Sequence, residues 1–526
     1  MQVSFLTKAL IAALGKKTPS YADAAGDRII ISRTVSAMAM LYEKVRVAIE
    51  YREDHLLRRA AIERMLKRLL ILNENGRGIA GNLLKELLWA KYLPDDSLPV
   101  GLTHVIQVTI DKYIFLRNEI ASGRGGDEKR VITEWLISSA AAEIEEKLVP
   151  NPEREAFINF VYRYFQKKVF IKDVDDKFRD IQTYIGVHRA FARSDNDFIR
   201  YSMLKLLLPA MPSYSWKDVQ DSTKDIYQVL LMADEHIANH IGPTISRQLK
   251  KEIAPFLILR DLYEQNPREF DNILEDEAKL NDRVESLCRK RYEEIGRKLR
   301  RAAIRSIIYI FLTKMVFAFA LEYPFDRYVL NDFKPIPLAV NTLVPPFLMF
   351  LSILGLSAPG EDNTKRIIER LREIVYDTSK DDQRITLALK APHRRPLLMF
   401  FFTLFYLVAF FMVFGSIVAV LSYFHFTVAS QAIFIFFVTV VVFFAYRIRQ
   451  TGKEYVIKER EGLLSPLVHF FLLPVLNVGK WLSSEIAKIN FFVALFDFVF
   501  EAPFKAIFGL FEEWFAFIRR KKDEIV

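Results

Sequence analysis

Few residues in this chain have the type and spacing to do chemistry, and most of them lie in or beside apolar segments. Lys314 stands near the middle of residues 306–321, a run otherwise made of Ile, Leu, Phe, Val, Ala, Met, Tyr, Ser and Thr. A charge at the centre of a bilayer costs on the order of 3 kcal/mol, so such a lysine needs a counter-ion, a wet cavity or a route for its stem to the interface. Glu322, eight residues on, could supply the counter-charge, as could Asp497 and Glu501 near the C-terminus. Asp497, Glu501, Lys505 and Glu512 fall within an arc of about 80° on a helix, a charged stripe on a segment otherwise rich in Phe and Leu. Pro345-Pro346, with Asn341 nearby, removes two backbone donors from another apolar run, which should kink or partly unwind it. Interrupted helices of that kind line transporter sites. His236 and His240 are four apart on one expected helix face, just after Asp234 and Glu235, and form the most metal-like pattern in the chain. A metalloprotease helix carries its glutamate directly after the first histidine, and here that position is Ile237, so the plainer reading is two surface or capping histidines.

Other chemistries lack their residues. The single cysteine, Cys288, excludes an intramolecular disulfide framework and cysteine-rich metal sites, and suits a reducing compartment. No G-x-x-x-x-G-K-S/T loop, Gly-rich dinucleotide turn or G-x-S-x-G elbow is present. Gly123-Arg124-Gly125-Gly126 has no strand before it, which a phosphate cradle requires. The expectation is a protein that is not an enzyme and carries no cofactor and no metal.

The elements that position these residues are dominated by residues 396–446, which contain no Asp, Glu, Lys or Arg. A helix rises about 1.5 Å per residue and a bilayer core is about 30 Å thick, so the run is long enough to cross twice. It reads as a transmembrane hairpin turning at Ser422-Tyr423-Phe424-His425-Phe426-Thr427. Two further crossings are expected near 302–321 and 335–359. Net charge is +10, and the basic residues cluster beside these runs: Arg289-Lys290-Arg291, Arg297, Lys298, Arg300, Arg301 and Arg305 before the first, and Lys365, Arg366, Arg370, Arg372, Arg394 and Arg395 between the hairpins. That is the positive-inside pattern, which points to an anionic inner leaflet rather than nucleic acid. Four crossings put every dense basic loop and both termini on the cytosolic side of a plasma (inner) membrane. Were Lys314 to keep the first run from crossing, the basic 361–395 loop would be forced outside.

Before residue 300 the chain is charged and helix-friendly, and after it rich in phenylalanine. Ile31, Val35, Met38, Tyr42, Val45 and Ile49 alternate at steps of four and three, a coiled-coil-like seam in a long helix over 27–73, with a stutter at Arg52-Glu53-Asp54-His55. Asn151-Pro152 reads as an N-cap with proline at the first helical position. From Asn266-Pro267 one helix should run unbroken to Leu321.

The sequence therefore predicts an all-α chain in six parts. These are a cytosolic helical bundle or array (1–265), a long basic helix leading into the membrane (266–301), a first transmembrane hairpin (302–359), a cytosolic amphipathic connector (360–395), a second hairpin (396–446), and interfacial or re-entrant amphipathic helices with a basic tail (447–526). Gly415 and Ala419 offer a small-xxx-small face for close helix packing. The reading implied is a scaffolding or interaction module anchored at a membrane, with a protein partner or a second copy as occupant of the seam. The alternative is a transporter or channel component using Lys314, the proline break and the C-terminal charged stripe.

Overall fold

In the computed structural model the described residues are 2–15, scattered positions between 27 and 43, 54–73, 75–94, 98–172, 174–329, 335–354, 359–377, 385–387, 396–452, 455–457 and 465–487. Asp497, Glu501, Lys505 and the rest of the C-terminal stripe lie outside them. The chain divides into two compact units, one built on residues 5–249 with 385–387, the other on 250–377 and 396–487.

The first unit is helical. Its main core is built from α2 (Asp54–Leu72), α3 (Ile79–Trp89), α4 (Leu102–Ala121) and α5 (Gly126–Leu148), which bury Ile62, Leu66, Leu84, Leu88, Ile106, Ile110, Leu136 and Ala140 together. On each helix the two are four residues apart, as a helix must space them to keep one face dry. Around this core lie α1 (Phe5–Leu14), α6 (Pro152–Lys168), α7 (Asp176–Ala190), α8 (Asn196–Leu207), α9 (Val219–Ala238) and α10 (Gly242–Lys250). Asn151 caps α6 through Arg154 N–H at 2.9 Å with Pro152 at the first position, as its sequence dictates. One element was not foreseen: β1 (Val169–Ile171) pairs in parallel with β2 (Ile385–Leu387), so part of the expected connector belongs to this unit.

The helix expected over 27–73 does not include residues 27–29, and of the seam residues only Ile31 is described; Val35, Met38, Tyr42, Val45 and Ile49 lie outside the described residues. Residues 27–29 lie outside any helix, with Ile29 N–H donating to Leu98 C=O at 3.0 Å and Val100 N–H to Asp27 C=O at 2.8 Å, whereas the described positions 36, 40 and 43 are helical. Ile31 is buried in the unit's own core, Ser36 donates to Trp89 C=O, and Glu43 is buried against Arg64 and Tyr92. Ile31 thus packs within its own unit.

The second unit begins with α11 (Ala254–Gln265) and α12 (Phe270–Glu275), and the long helix α13 (Glu277–Phe317) follows. The helix expected from 267 to 321 is interrupted because Asp276 leaves the helical conformation and accepts from the N–H groups of Ala278 and Lys279, capping a new start. α13 then runs for 41 residues, about 60 Å. Its first half packs against α11, α12 and α15 (Glu361–Tyr376), and its second half against α14 (Pro335–Leu354) and α17 (Val428–Gly452). Because α11 packs on α13 and α15, the compact boundary falls near 250, earlier than the domain boundary expected at 265.

Four helices are long and apolar enough to cross a membrane: Glu277–Ala320, Pro335–Ser352, Met399–Tyr423 and Val428–Arg449. The chain is a membrane protein with an almost wholly helical fold. α16 (Pro396–Tyr423) turns into α17 through Phe424–Thr427, where His425 takes φ +59° and Phe426 N–H returns to Leu421 C=O at 3.0 Å. Beyond this turn α16 and α17 share little. α18 (Ser465–Ala487) packs against both instead, as one helix that runs through Pro474, at the place where an interrupted interfacial or re-entrant segment was expected. The close approach comes at Gly479 of α18, where an added Cβ would lie 2.3 Å from Thr439 C=O. Gly415 faces open space and, with Ala419, is exposed, so the small-residue pair on α16 is not used for packing among the described residues.

Candidate functional site

The site is built around Lys314, fully buried on α13. Its Nζ lies 3.4 Å from Glu322 Oε2 and 4.7 Å from the centroid of the Phe437 ring, with Phe437 itself held edge-on by Phe317. Glu322 is buried as well, and its other oxygen accepts from Ser430 Oγ on α17 and from Asn341 Nδ2 on α14. The same Asn341 amide donates to Ser430 C=O at 3.2 Å. Three helices thus meet at one carboxylate that receives an ammonium, a hydroxyl and an amide, the combination that makes a buried carboxylate tolerable in an apolar setting.

Glu322 reaches this place because of a local departure from α geometry. Eight residues of α-helix turn through about 800°, which would leave Glu322 some 80° round from Lys314. Residues Ala318–Glu322 instead form a π turn, which absorbs one extra residue, so the two side chains stand about 20° from alignment. A second π segment follows at Phe325–Val329.

α14 contributes a further irregularity. The helix is continuous through Pro345 and Pro346, not unwound as their sequence suggested. Proline has no N–H, so the carbonyls of Asn341 and Thr342 lose their donors four residues on. Asn341 is thereby unusual twice, since its side-chain Oδ1 is buried without a hydrogen-bond partner among the described residues.

A second network sits on the helices beside the membrane segments. Buried Asp261 of α11 accepts from Arg291 Nε at 2.7 Å and Tyr455 OH at 3.1 Å. Asn363 of α15 donates to Tyr292 OH at 2.8 Å and to Tyr455 C=O at 2.7 Å, and accepts from Ile457 N–H at 2.8 Å. Residues 455–457, which follow α17, are in this way fastened to α11, α13 and α15.

The helical unit of residues 5–249 has buried polar groups of its own. Lys112 Nζ lies 2.7 Å from Glu143 Oε1 and donates to Met211 C=O at 3.0 Å, and Tyr113 OH donates to Glu143 Oε2. Burial lowers the lysine's pKa, against the pull of Glu143. His188 is buried with Nδ1 3.1 Å from Ser194 Oγ and its ring against Tyr184, and burial, with Arg154 and Lys205 adding to it, brings its pKa down to about 3. His188 is therefore a neutral core histidine.

Of the residues singled out in the sequence, the structure brings Lys314 together with Glu322 and Asn341, and places Pro345 and Pro346 one turn beyond Asn341. His236 Nδ1 is 3.1 Å from Gln182 Nε2, and α9 ends at Ala238, so His240 lies past the helix end and does not share a helical face with His236. No group of three or more His, Cys, Asp or Glu suited to a metal occurs among the described residues. Ser430 and Phe437 were missed; their only signal was a hydroxyl near the start of an apolar helix and one aromatic among many. The chain matches no protein-family model, and it matches no curated protein and no solved structure.

Proposed function

We propose that this is a polytopic protein of the plasma (inner) membrane, with both termini cytosolic, whose helical unit of residues 5–249 is an interaction or scaffolding module held at the membrane by the second unit. The observation that carries this reading is that α13 is fastened at both ends: the Asp261–Arg291–Tyr455–Asn363 network holds its soluble half and the Lys314–Glu322–Asn341–Ser430 cluster its apolar half. A strut held by buried, directional bonds at each end is itself firmly fixed within the second unit, which an anchor needs. The test is photo-crosslinking in native membranes from Trp216 and Leu231, large apolar residues exposed on the helical unit. Discrete adducts with a second copy or one other protein are expected, and no adduct from either position would sink the reading.

A second reading, a transporter or channel component, is favoured by one observation: the cluster couples a lysine and a carboxylate beside an asparagine that has an unpartnered Oδ1 and a carbonyl released by proline. Flux through liposomes holding the purified protein, compared with Lys314→Leu, decides it. Flux that is absent, or identical in both forms, dismisses it.

A further inference from the structure

The outward face of α13 changes from basic to apolar along one line. Lys298, Arg301, Arg305, Ile308, Leu312 and Val316 follow one another at steps of three and four, and at 100° per residue they fall within an arc of about 80°. The opposite face, with Leu299, Ala303, Ile310 and Lys314, is buried in the unit. All six outward residues are exposed, with Ile308 at 53%, Leu312 at 56% and Val316 at 65%. No carboxylate pairs with Lys298, Arg301 or Arg305 among the described residues; Arg301 Nε makes a 3.4 Å bond to Arg297 C=O.

We propose that this face binds an anionic phospholipid, with the headgroup phosphate held by Arg301 and Arg305, assisted by Lys298, and one acyl chain lying along Ile308, Leu312 and Val316. Guanidinium groups match phosphate oxygens two at a time, and two arginines one helical turn apart can take one phosphate between them. The length also fits. From Arg305 to Val316 is eleven residues, about 16 Å, and half of a hydrocarbon core is about 15 Å, so the apolar part of the line covers one leaflet. The net negative headgroup answers the cluster's three unneutralised cations, where a zwitterionic one would bring its own cation to the same place.

The inference rests on α13 entering the bilayer at this level, and it does not depend on which side of the membrane that end faces. The test uses full-length protein in nanodiscs containing equal phosphatidylglycerol and phosphatidylcholine of the same chains, with retained lipid counted by native mass spectrometry. Wild type should keep phosphatidylglycerol over phosphatidylcholine by about tenfold. The exposed pair Arg301→Gln/Arg305→Gln should bring that ratio to about twofold or less without shifting the thermal midpoint, whereas Arg289→Gln/Lys290→Gln, which removes two basic residues several turns upstream, should leave it unchanged. Equal retention of the two lipids by wild type, or an undiminished preference in the Arg301/Arg305 variant, would overturn the proposal.

Discussion

Lys314 and Glu322 carry opposite charges to the same buried point, so neither can be judged alone. Lys314→Leu leaves a carboxylate without its ammonium and should destabilise the membrane unit by on the order of 3–5 kcal/mol, read as loss of helical signal on heating in detergent. Removing both charges, as Lys314→Leu/Glu322→Leu, should cost clearly less than the sum of the single changes, because the second substitution removes the charge the first stranded. Additive losses would show that the two side chains act separately.

His188 gives a prediction with a defined sign. Its folded pKa of about 3 lies below the 6.5 of an unfolded histidine, so the unfolded chain takes up the proton first and stability falls as pH drops from about 6.5 toward 3. At pH 5 the loss attributable to this residue is about 2 kcal/mol. The wild-type loss between pH 8 and pH 5 should therefore exceed that of His188→Gln by about this amount, with unfolding of the helical unit followed by circular dichroism. Equal pH dependence in both proteins would contradict the assignment.

Among the elements, the helix pair α17 and α18 depends on one missing side chain. A Cβ at Gly479 would meet the backbone carbonyl of Thr439, which cannot rotate away as a side chain could. Gly479→Leu should therefore separate the two helices, seen as a fall of several degrees in the thermal midpoint in detergent. A midpoint equal to that of the parent would refute the close crossing. The element scale is also where sequence reasoning stopped. Apolar length alone located the four long helices, because a bilayer imposes a length that composition must meet. Lys314 was conspicuous because charge is costly there, and the same cost pointed to Glu322. The π turn that aligns them was invisible, since no residue in Ala318–Glu322 demands it and two of the partners that hold Glu322 in place, Asn341 and Ser430, lie on other helices. Pro345-Pro346 was read as a kink or partial unwinding because proline removes backbone donors, and α14 stays helical through both. Ile31, the first residue of the seam, shows a related limit: periodicity shows that a face is buried without showing what buries it, and Ile31 is buried in its own unit's core.

At the scale of the whole molecule, sidedness is the property on which the anchoring proposal turns. Cys288 is buried, so single cysteines can be added as reporters. An impermeant maleimide applied to intact cells should label Phe424→Cys in the α16–α17 turn and should label Lys224→Cys of α9 only after permeabilisation. The reverse pattern would invert the topology and put the basic loops outside.

The three-residue pairing of β1 with β2 bears on the order in which the chain is made. Val169 and Ile385 are partners in register, yet more than two hundred residues separate them, and two of the four long apolar helices lie in between. Closing a loop of that length costs about 5 kcal/mol in chain entropy, far more than three strand residues return, so the join forms only once both ends are already held nearby. During synthesis the helical unit must wait, one edge unfinished, while the ribosome delivers the first two membrane helices and the connector behind them. A ribosome arrested before residue 385 would thus expose a nascent chain whose helices are made but whose strand still offers Phe170 and its open backbone to any chaperone present, and release of that chaperone would mark the moment the later segment arrives.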